Sequence, residues 1–161
     1  MPVSRRTALA LALAWALPLL AGLPAPARAG GPPVLVDGAG LALEGHDPVA
    51  YFVDHKPREG HPDLAVRHQG VTYRFASMAN RDAFLADPDR YLPQYGGFCA
   101  MAASEGVKYP ADPRRFTVVD DRLYLNYNTA AEKAWRKDIP GHIAQADAKW
   151  PKVIDQPVQG Q

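Results

Sequence analysis

Alternating apolar and polar residues mark a first pair of strands near the middle of the chain. The alternation runs over residues 64–68 and resumes over 71–75, and a Gln-Gly pair at 69–70 separates the two segments. Such alternation is typical of half-buried strands, and a short connection that contains glycine favours a tight antiparallel hairpin. Tyr73 and Phe75 are expected to share the buried face of this hairpin.

A second hairpin is predicted nearer the C-terminus. Residues 116–119 and 123–127 alternate in the same way, and two aspartates at 120–121 stand between them. Aspartate is a common turn residue, because its short polar side chain bonds to the local backbone and tolerates a left-handed conformation. We therefore expect two hairpins that together form a small antiparallel sheet.

Helices are predicted after each hairpin. Ser77 is a suitable N-cap for a helix that stops at the Asp-Pro pair 87–88. Asn128 or the residue after it caps another helix, which Pro-Gly at 140–141 interrupts. A third apolar stripe at helical spacing then continues to Trp150. Strand pairs alternating with helices predict an α+β fold, with two hairpins packed against about three to four helices.

The chain contains no evident internal repeat and no low-complexity linker, so a single domain is predicted. The first 29 residues are predicted to be a cleaved signal peptide, which leaves residues 30–161 as the mature domain. Two arginines at 5–6 precede an apolar run at 8–17, and small residues flank a cleavage point after Ala29. An uncleaved membrane anchor is the alternative, but the run is shorter than the roughly 20 residues that span a bilayer.

The export route stays open from the sequence. Ser4, Arg5 and Arg6 match part of a twin-arginine signal, although an ordinary secretion signal also needs basic residues at this place. Either route predicts a periplasmic or secreted protein that is not held at the membrane once the signal is removed.

The charge of the mature chain argues against a nucleic-acid partner. Cleavage would remove three arginines and no acidic residue, which changes the formal charge from +1 to −2. Proteins that bind nucleic acid or anionic lipid generally carry a basic excess, and the mature chain would have none. A nucleic-acid partner is therefore not expected. The resemblance and the candidate ligands described below make a metal ion or another small ligand the expected partner, and the sequence names no protein partner.

Several ordered segments of the chain resemble exported bacterial proteins of the YHS domain family. The resemblance covers roughly residues 35–151, and its length makes it more specific than a short motif. The segments that carry it are 45–52, 73–77, 80–84, 87–91, 93–100 and 123–128, together with Trp135 and Trp150.

The resemblance implies a metal-binding module, because YHS domains occur beside copper-transporting ATPases and some oxygenases. Cysteines of those relatives stand where this chain has Ala76 and Asn80, so a thiolate cluster at that place is not expected here. The exported branch also usually has tyrosine where this chain has His46. These differences leave the expected fold intact but do not transfer the family's metal site.

Three other residues are therefore the candidate metal ligands. Cys99, the chain's one cysteine, follows a Gly-Gly pair, and Met101 lies two residues further on. A thiolate and a thioether are soft ligands that suit Cu(I), and His46 would complete a three-ligand set if folding brings it close. We expect a binding module for a transition metal such as copper. In the alternative, Cys99 and Met101 only fill the core.

Two further hypotheses come from other functional classes. A metal-free module for a small molecule or a protein could use a pocket formed by the aromatic residues. A Cys-dependent enzyme would need a base near Cys99. The aromatic residues that could form such a pocket are Tyr51, Phe52, Tyr73, Tyr91, Tyr95, Phe98, Tyr124 and Tyr127.

Overall fold

A computed structural model describes residues 33–160, so the predicted signal peptide lies outside the described residues. The fold is α+β in a single domain, as predicted, but the two hairpins form two separate two-stranded antiparallel sheets instead of one. Three of the helices have seven or more residues. In chain order the elements are α1 (Ala50–Val53), β1 (His61–His68), β2 (Val71–Phe75), α2 (Met78–Ala86), α3 (Pro88–Tyr91), α4 (Ala100–Glu105), β3 (Asp112–Val119), β4 (Arg122–Asn126), α5 (Thr129–Trp135) and α6 (Ile139–Val153).

Both predicted turns are confirmed as two-residue hairpin connections. Gln69 and Gly70 have φ values of 48° and 84°, and Asp120 and Asp121 have values of 49° and 54°. Positive φ at both central residues matches the right-handed twist of the flanking strands. Glycine and aspartate tolerate this conformation better than most residues, which explains why the turns lie where the sequence places them.

The two hairpins have the same length, register and bulge. In the first, His61 pairs with Phe75, and the register shifts before the next pair at Ala65. In the second, Asp112 pairs with Asn126, and the register shifts before the pair at Phe116. The equivalent positions are about fifty residues apart throughout. A side chain then caps the following helix in both cases, Ser77 accepting from the Asn80 N–H and Asn128 from the Ala131 N–H.

The repeat extends into the segments that precede the hairpins. Each has three consecutive residues at positive φ, Leu43–Gly45 in the first and Tyr95 to Gly97 in the second. Each also forms a parallel bridge to the second strand of its own hairpin, through Leu41 or Pro93. We call residues 41–86 the first unit and residues 93–135 the second unit. The domain is thus a structural duplication that the sequence analysis did not detect.

The cores of the two units are built from matching aromatic pairs. The rings of Tyr73 and Phe84 lie 5.2 Å apart in the first unit, and those of Tyr124 and Trp135 lie 5.3 Å apart in the second. All four side chains are buried.

Helix α6 begins at the position that corresponds to the start of α3, and Asp87 and Asp138 precede the two helices in the same backbone conformation. Helix α6 is 15 residues long and α3 only four, and α6 packs against α4 in the second unit.

Lys108 holds the C-terminal end of α6 against the domain. Its side chain is fully buried, and Nζ donates a hydrogen bond of 2.7 Å to the Ile154 carbonyl. The ammonium group also lies 4.5 Å from the centre of the buried Phe98 ring, within the range of a cation–π interaction. These two contacts connect the end of α6 to the core of the second unit.

Gly96 allows the N-terminal segment to cross the second unit at very close range. The Leu35 N–H donates to the Gly96 carbonyl at 2.8 Å. A Cβ atom on Gly96 would lie 2.1 Å from the Pro33 carbonyl oxygen, and φ at this residue is +62°. Both the crossing and the left-handed conformation therefore require glycine here.

Replacing Gly96 with alanine should lower the free energy of unfolding by at least about 2 kcal/mol, because a left-handed alanine is strained and its Cβ would clash with backbone. Gly38→Ala is the matched control, since a Cβ at Gly38 would meet no atom within 4 Å. Chemical denaturation followed by circular dichroism measures both variants. Equal stability of the two would contradict the close approach.

Candidate functional site

An open cleft lies over Cys99 in the second unit. Its volume is about 300 Å³, and its walls are mostly apolar. The cleft brings together the predicted ligands Cys99 and Met101, which is the arrangement that a shared site requires. We call it the Cys99 cleft; it is lined by Cys99, Met101, Glu105, Tyr109, Tyr127 and four alanines, Ala131 among them.

Cys99 lies at the base of this cleft and is only 2% exposed. It is the N-cap of α4, and its Sγ accepts a hydrogen bond of 3.5 Å from the Ala102 N–H. Burial raises the pKa of the Cys99 thiol, and the N–H groups of Ala102, Tyr127 and Met101 act in the opposite direction. The thiol is therefore protonated at neutral pH, but its surroundings contain donors that can stabilise a thiolate.

Asn126 is a buried polar neighbour of the thiol that the sequence did not single out. Its Oδ1 lies 3.8 Å from the Cys99 Sγ and accepts a 3.3 Å hydrogen bond from the Met101 N–H. The side chain is fully buried, yet its Nδ2 has no hydrogen-bond partner within the described residues. A buried donor without an acceptor is uncommon in proteins and costs stability, so this amide calls for an explanation.

Asp47 occupies the position in the first unit that corresponds to Cys99. Both residues lie two positions after the three residues at positive φ, and both precede a short helix. The fully buried Asp47 carboxylate accepts from the N–H groups of Val49, at 2.8 Å, and Ala50, at 3.3 Å. These donors lie two and three residues on, as Met101 and Ala102 do from Cys99. Asp47 therefore caps the local turn that it begins.

Each unit also has a backbone N–H donor at the residue that directly follows the second strand of its hairpin. The Ala76 N–H, directly after β2, donates to Asp47 Oδ2 at 2.8 Å. The Tyr127 N–H, directly after β4, acts on the Cys99 thiol in the same way. The backbone N–H groups at the three corresponding positions therefore lie around the Cys99 thiol; that of Ala102 bonds to the sulfur, whereas that of Met101 bonds to Asn126.

The two units differ in the fourth donor. Asn80 Nδ2 donates to Asp47 Oδ2 at 2.6 Å and completes the first site. Its counterpart in the second unit is Ala131, which offers no polar group and instead lines the Cys99 cleft. The side of the thiol that faces the cleft is thus open where the first unit is closed.

His46, the third predicted ligand, does not line the Cys99 cleft. It is half-buried, its Nδ1–H donates to the Leu43 carbonyl at 2.9 Å, and its backbone forms an isolated bridge with Glu59. A carbonyl can only accept, so this contact leaves Nε2 as the basic ring nitrogen. Among residues 33–160, no three His, Cys, Asp or Glu side chains gather as a ligand group.

Most tyrosines of the predicted aromatic set belong to the core. Tyr51, Tyr73, Tyr95 and Tyr124 are buried, and Tyr127 alone of that set lines the cleft. Tyr109, which the sequence did not single out, lies beside Tyr127 with the two ring centres 5.7 Å apart. No local pattern marks Tyr109, because a loop carries it to the cleft.

Comparison of the chain with protein-family models, with characterised proteins and with solved structures gives no match. The resemblance to the YHS family therefore stays a prediction. No helix within residues 33–160 is both long enough and apolar enough to cross a membrane.

Replacing Asp47 with alanine should lower the free energy of unfolding by about 3 kcal/mol or more, because it leaves several buried donors without an acceptor. Asp63→Ala is the control, since the Asp63 side chain is 88% exposed and its loss should change stability by less than about 0.5 kcal/mol. Urea denaturation compares the two. A similar loss in both variants would show that the Asp47 hydrogen bonds do not hold the first unit together.

Proposed function

We propose that this chain is an exported binding module of the YHS type whose ligand is a soft metal ion such as Cu(I). Cys99 and Met101 would hold the ion in the Cys99 cleft. One observation carries the proposal: Cys99 and Met101 line the same cleft, on the side of the thiol where the second unit lacks the amide that Asn80 provides in the first.

The donors in the cleft fit this class of metal. Thiolate and thioether sulfur select Cu(I) over harder cations. Metal binding requires loss of the thiol proton, and the N–H groups of Ala102, Tyr127 and Met101 would support the resulting negative charge. The carboxylate of Glu105 adds a further negative charge at the edge of the cleft. Because His46 does not line the cleft, the proposed site has two sulfur donors.

Two sulfur donors and an open side favour reversible binding. A bound ion would retain a position that a donor from another molecule can take, which suits acquisition and transfer of the ion. A closed structural metal site would instead surround the ion with four protein ligands. The chemistry that the ion supplies here is its positive charge, which balances the buried thiolate.

A metal-free ligand is the second candidate, and the walls of the cleft favour it. Tyr109 and Tyr127 form an aromatic edge, and four alanines make up much of the remaining surface. The volume of about 300 Å³ lies at the small end of the range for ligand pockets. A Cys-dependent enzyme gains no support, because no histidine lines the cleft and burial raises the pKa of the Cys99 thiol.

Titration with Cu(I) in competition with a chromogenic chelator should show one ion bound per chain. Cys99→Ser should weaken binding by more than about 100-fold, and Met101→Leu by about 10-fold, because each removes a direct ligand. His46→Gln should leave the affinity unchanged.

Met78→Leu is the matched control, because Met78 is 61% exposed and does not line the cleft. Equal affinities of the wild type and Cys99→Ser would contradict the metal proposal. Saturable binding of a small aromatic compound to the metal-free protein, lost in Tyr127→Ala, would instead support the second candidate.

A further inference from the structure

The two units correspond position by position around their central acceptors. Asp47, Ala76 and Asn80 correspond to Cys99, Tyr127 and Ala131. We infer that residue 131 determines access to the second site: Ala131 opens the thiol to a ligand, whereas Asn80 at the same position seals the first site. The inference concerns the cleft of the proposed function, but it rests on the geometry of the duplication.

The correspondence of Asn80 and Ala131 follows from the helix caps. Ser77 caps α2 and bonds to the Asn80 N–H at 3.1 Å, and Asn128 caps α5 and bonds to the Ala131 N–H at 2.9 Å. Both residues are therefore the third residue of their helix. Side chains of a helix lean toward its N-terminus, so a longer side chain at this position reaches back toward the end of the hairpin.

In the first unit this geometry produces a closed site. The Asn80 amide donates to the Asp47 carboxylate, and Asp47 is completely buried. A hydrogen bond to an ionised acceptor is stronger than one between neutral groups. The first site therefore has four donors around its acceptor and no room for a ligand.

In the second unit the same position has no donor. The alanine at 131 is half-buried and lines the cleft beside Cys99. A second position near the site also differs in polarity between the units. Asn126 stands where the first unit has the buried apolar Phe75. Its amide lies against the thiol, and its Nδ2 has no partner within the described residues. The thiol therefore has a polar neighbour on its buried side and the small Ala131 on the side of the cleft.

The missing donor also defines the ligand. Whatever occupies the open side takes the place of an amide N–H, so once the thiol loses its proton the occupant must bring positive charge or a hydrogen-bond donor to the sulfur. A cation satisfies this requirement, and an anion would be repelled by the acceptor and by Glu105. The ionised form of the second site thus favours electrophilic ligands because it lacks the donor that Asn80 provides in the first.

A double-mutant cycle in the metal-free protein tests the inference. Cys99→Asp places the carboxylate of the first unit in the second, where it should destabilise the fold because its fourth donor is absent. Adding Ala131→Asn should raise the folding equilibrium constant of Cys99→Asp at least about 10-fold more than it raises that of the wild type, because only the carboxylate gains a charge-assisted bond.

Ala134→Asn is the matched control, because Ala134 also lines the cleft but corresponds to Ala83 and not to Asn80. It should give no such coupling with Cys99→Asp. If Cys99→Asp does not fold alone, recovery of folded protein with Ala131→Asn, and not with Ala134→Asn, is the supporting result. Equal effects of the two asparagines, or failure of both to recover folding, would overturn the inference.

Access to the thiol gives a second readout. Ala131→Asn in the otherwise wild-type chain should slow alkylation of Cys99 by iodoacetamide by about 10-fold relative to Ala134→Asn, since the longer side chain covers the sulfur. An unchanged rate would show that residue 131 does not control access. Neither measurement uses metal, so a negative Cu(I) titration would reject the proposed function without affecting this result.

Discussion

The carboxylate of Asp47 accepts hydrogen bonds from donors that belong to separate parts of the first unit. Val49 and Ala50 lie at the start of α1, Ala76 follows the hairpin, and Asn80 is in α2. One buried acceptor thus fixes the relative positions of the start of α1, the hairpin of β1 and β2, and helix α2. Burial of a carboxylate is tolerated only when its hydrogen bonds are satisfied, and here the whole unit is arranged to satisfy them.

The second unit keeps this architecture but has a weaker acceptor at its centre. A thiol forms poorer hydrogen bonds than a carboxylate, so the second unit needs other support. The larger Trp135 in place of Phe84, the buried ammonium of Lys108 and the long helix α6 contribute such contacts. Because these contacts stabilise the second unit, residue 131 can be a small side chain without a hydrogen bond.

The sequence predicted the local elements well and the duplication not at all. Alternation, turn residues and caps such as Ser77 and Asn128 act over a few residues, so the hairpins and the helix starts could be read directly. The two units share backbone conformation but few identical side chains, such as Tyr73 with Tyr124 and Ala83 with Ala134. These matches are scattered and lie about fifty residues apart, so no short motif marks the likeness. Cys99 and Met101 could be assigned to one site from the sequence because a single residue separates them. Tyr109 and Ala131 line the cleft, and Asn126 contacts the thiol, only through tertiary packing.

The depth of Cys99 has a consequence for how copies of this protein can associate. A covalent S–S bond between two chains needs their Cβ atoms within about 4 Å, so the backbone of one copy would have to enter the cleft of the other. Because Cys99 is only 2% exposed, the chain is protected from crosslinking to itself. The burial of Cys99 thus does for this chain what a disulfide partner would otherwise do, because it keeps the thiol from pairing with another chain.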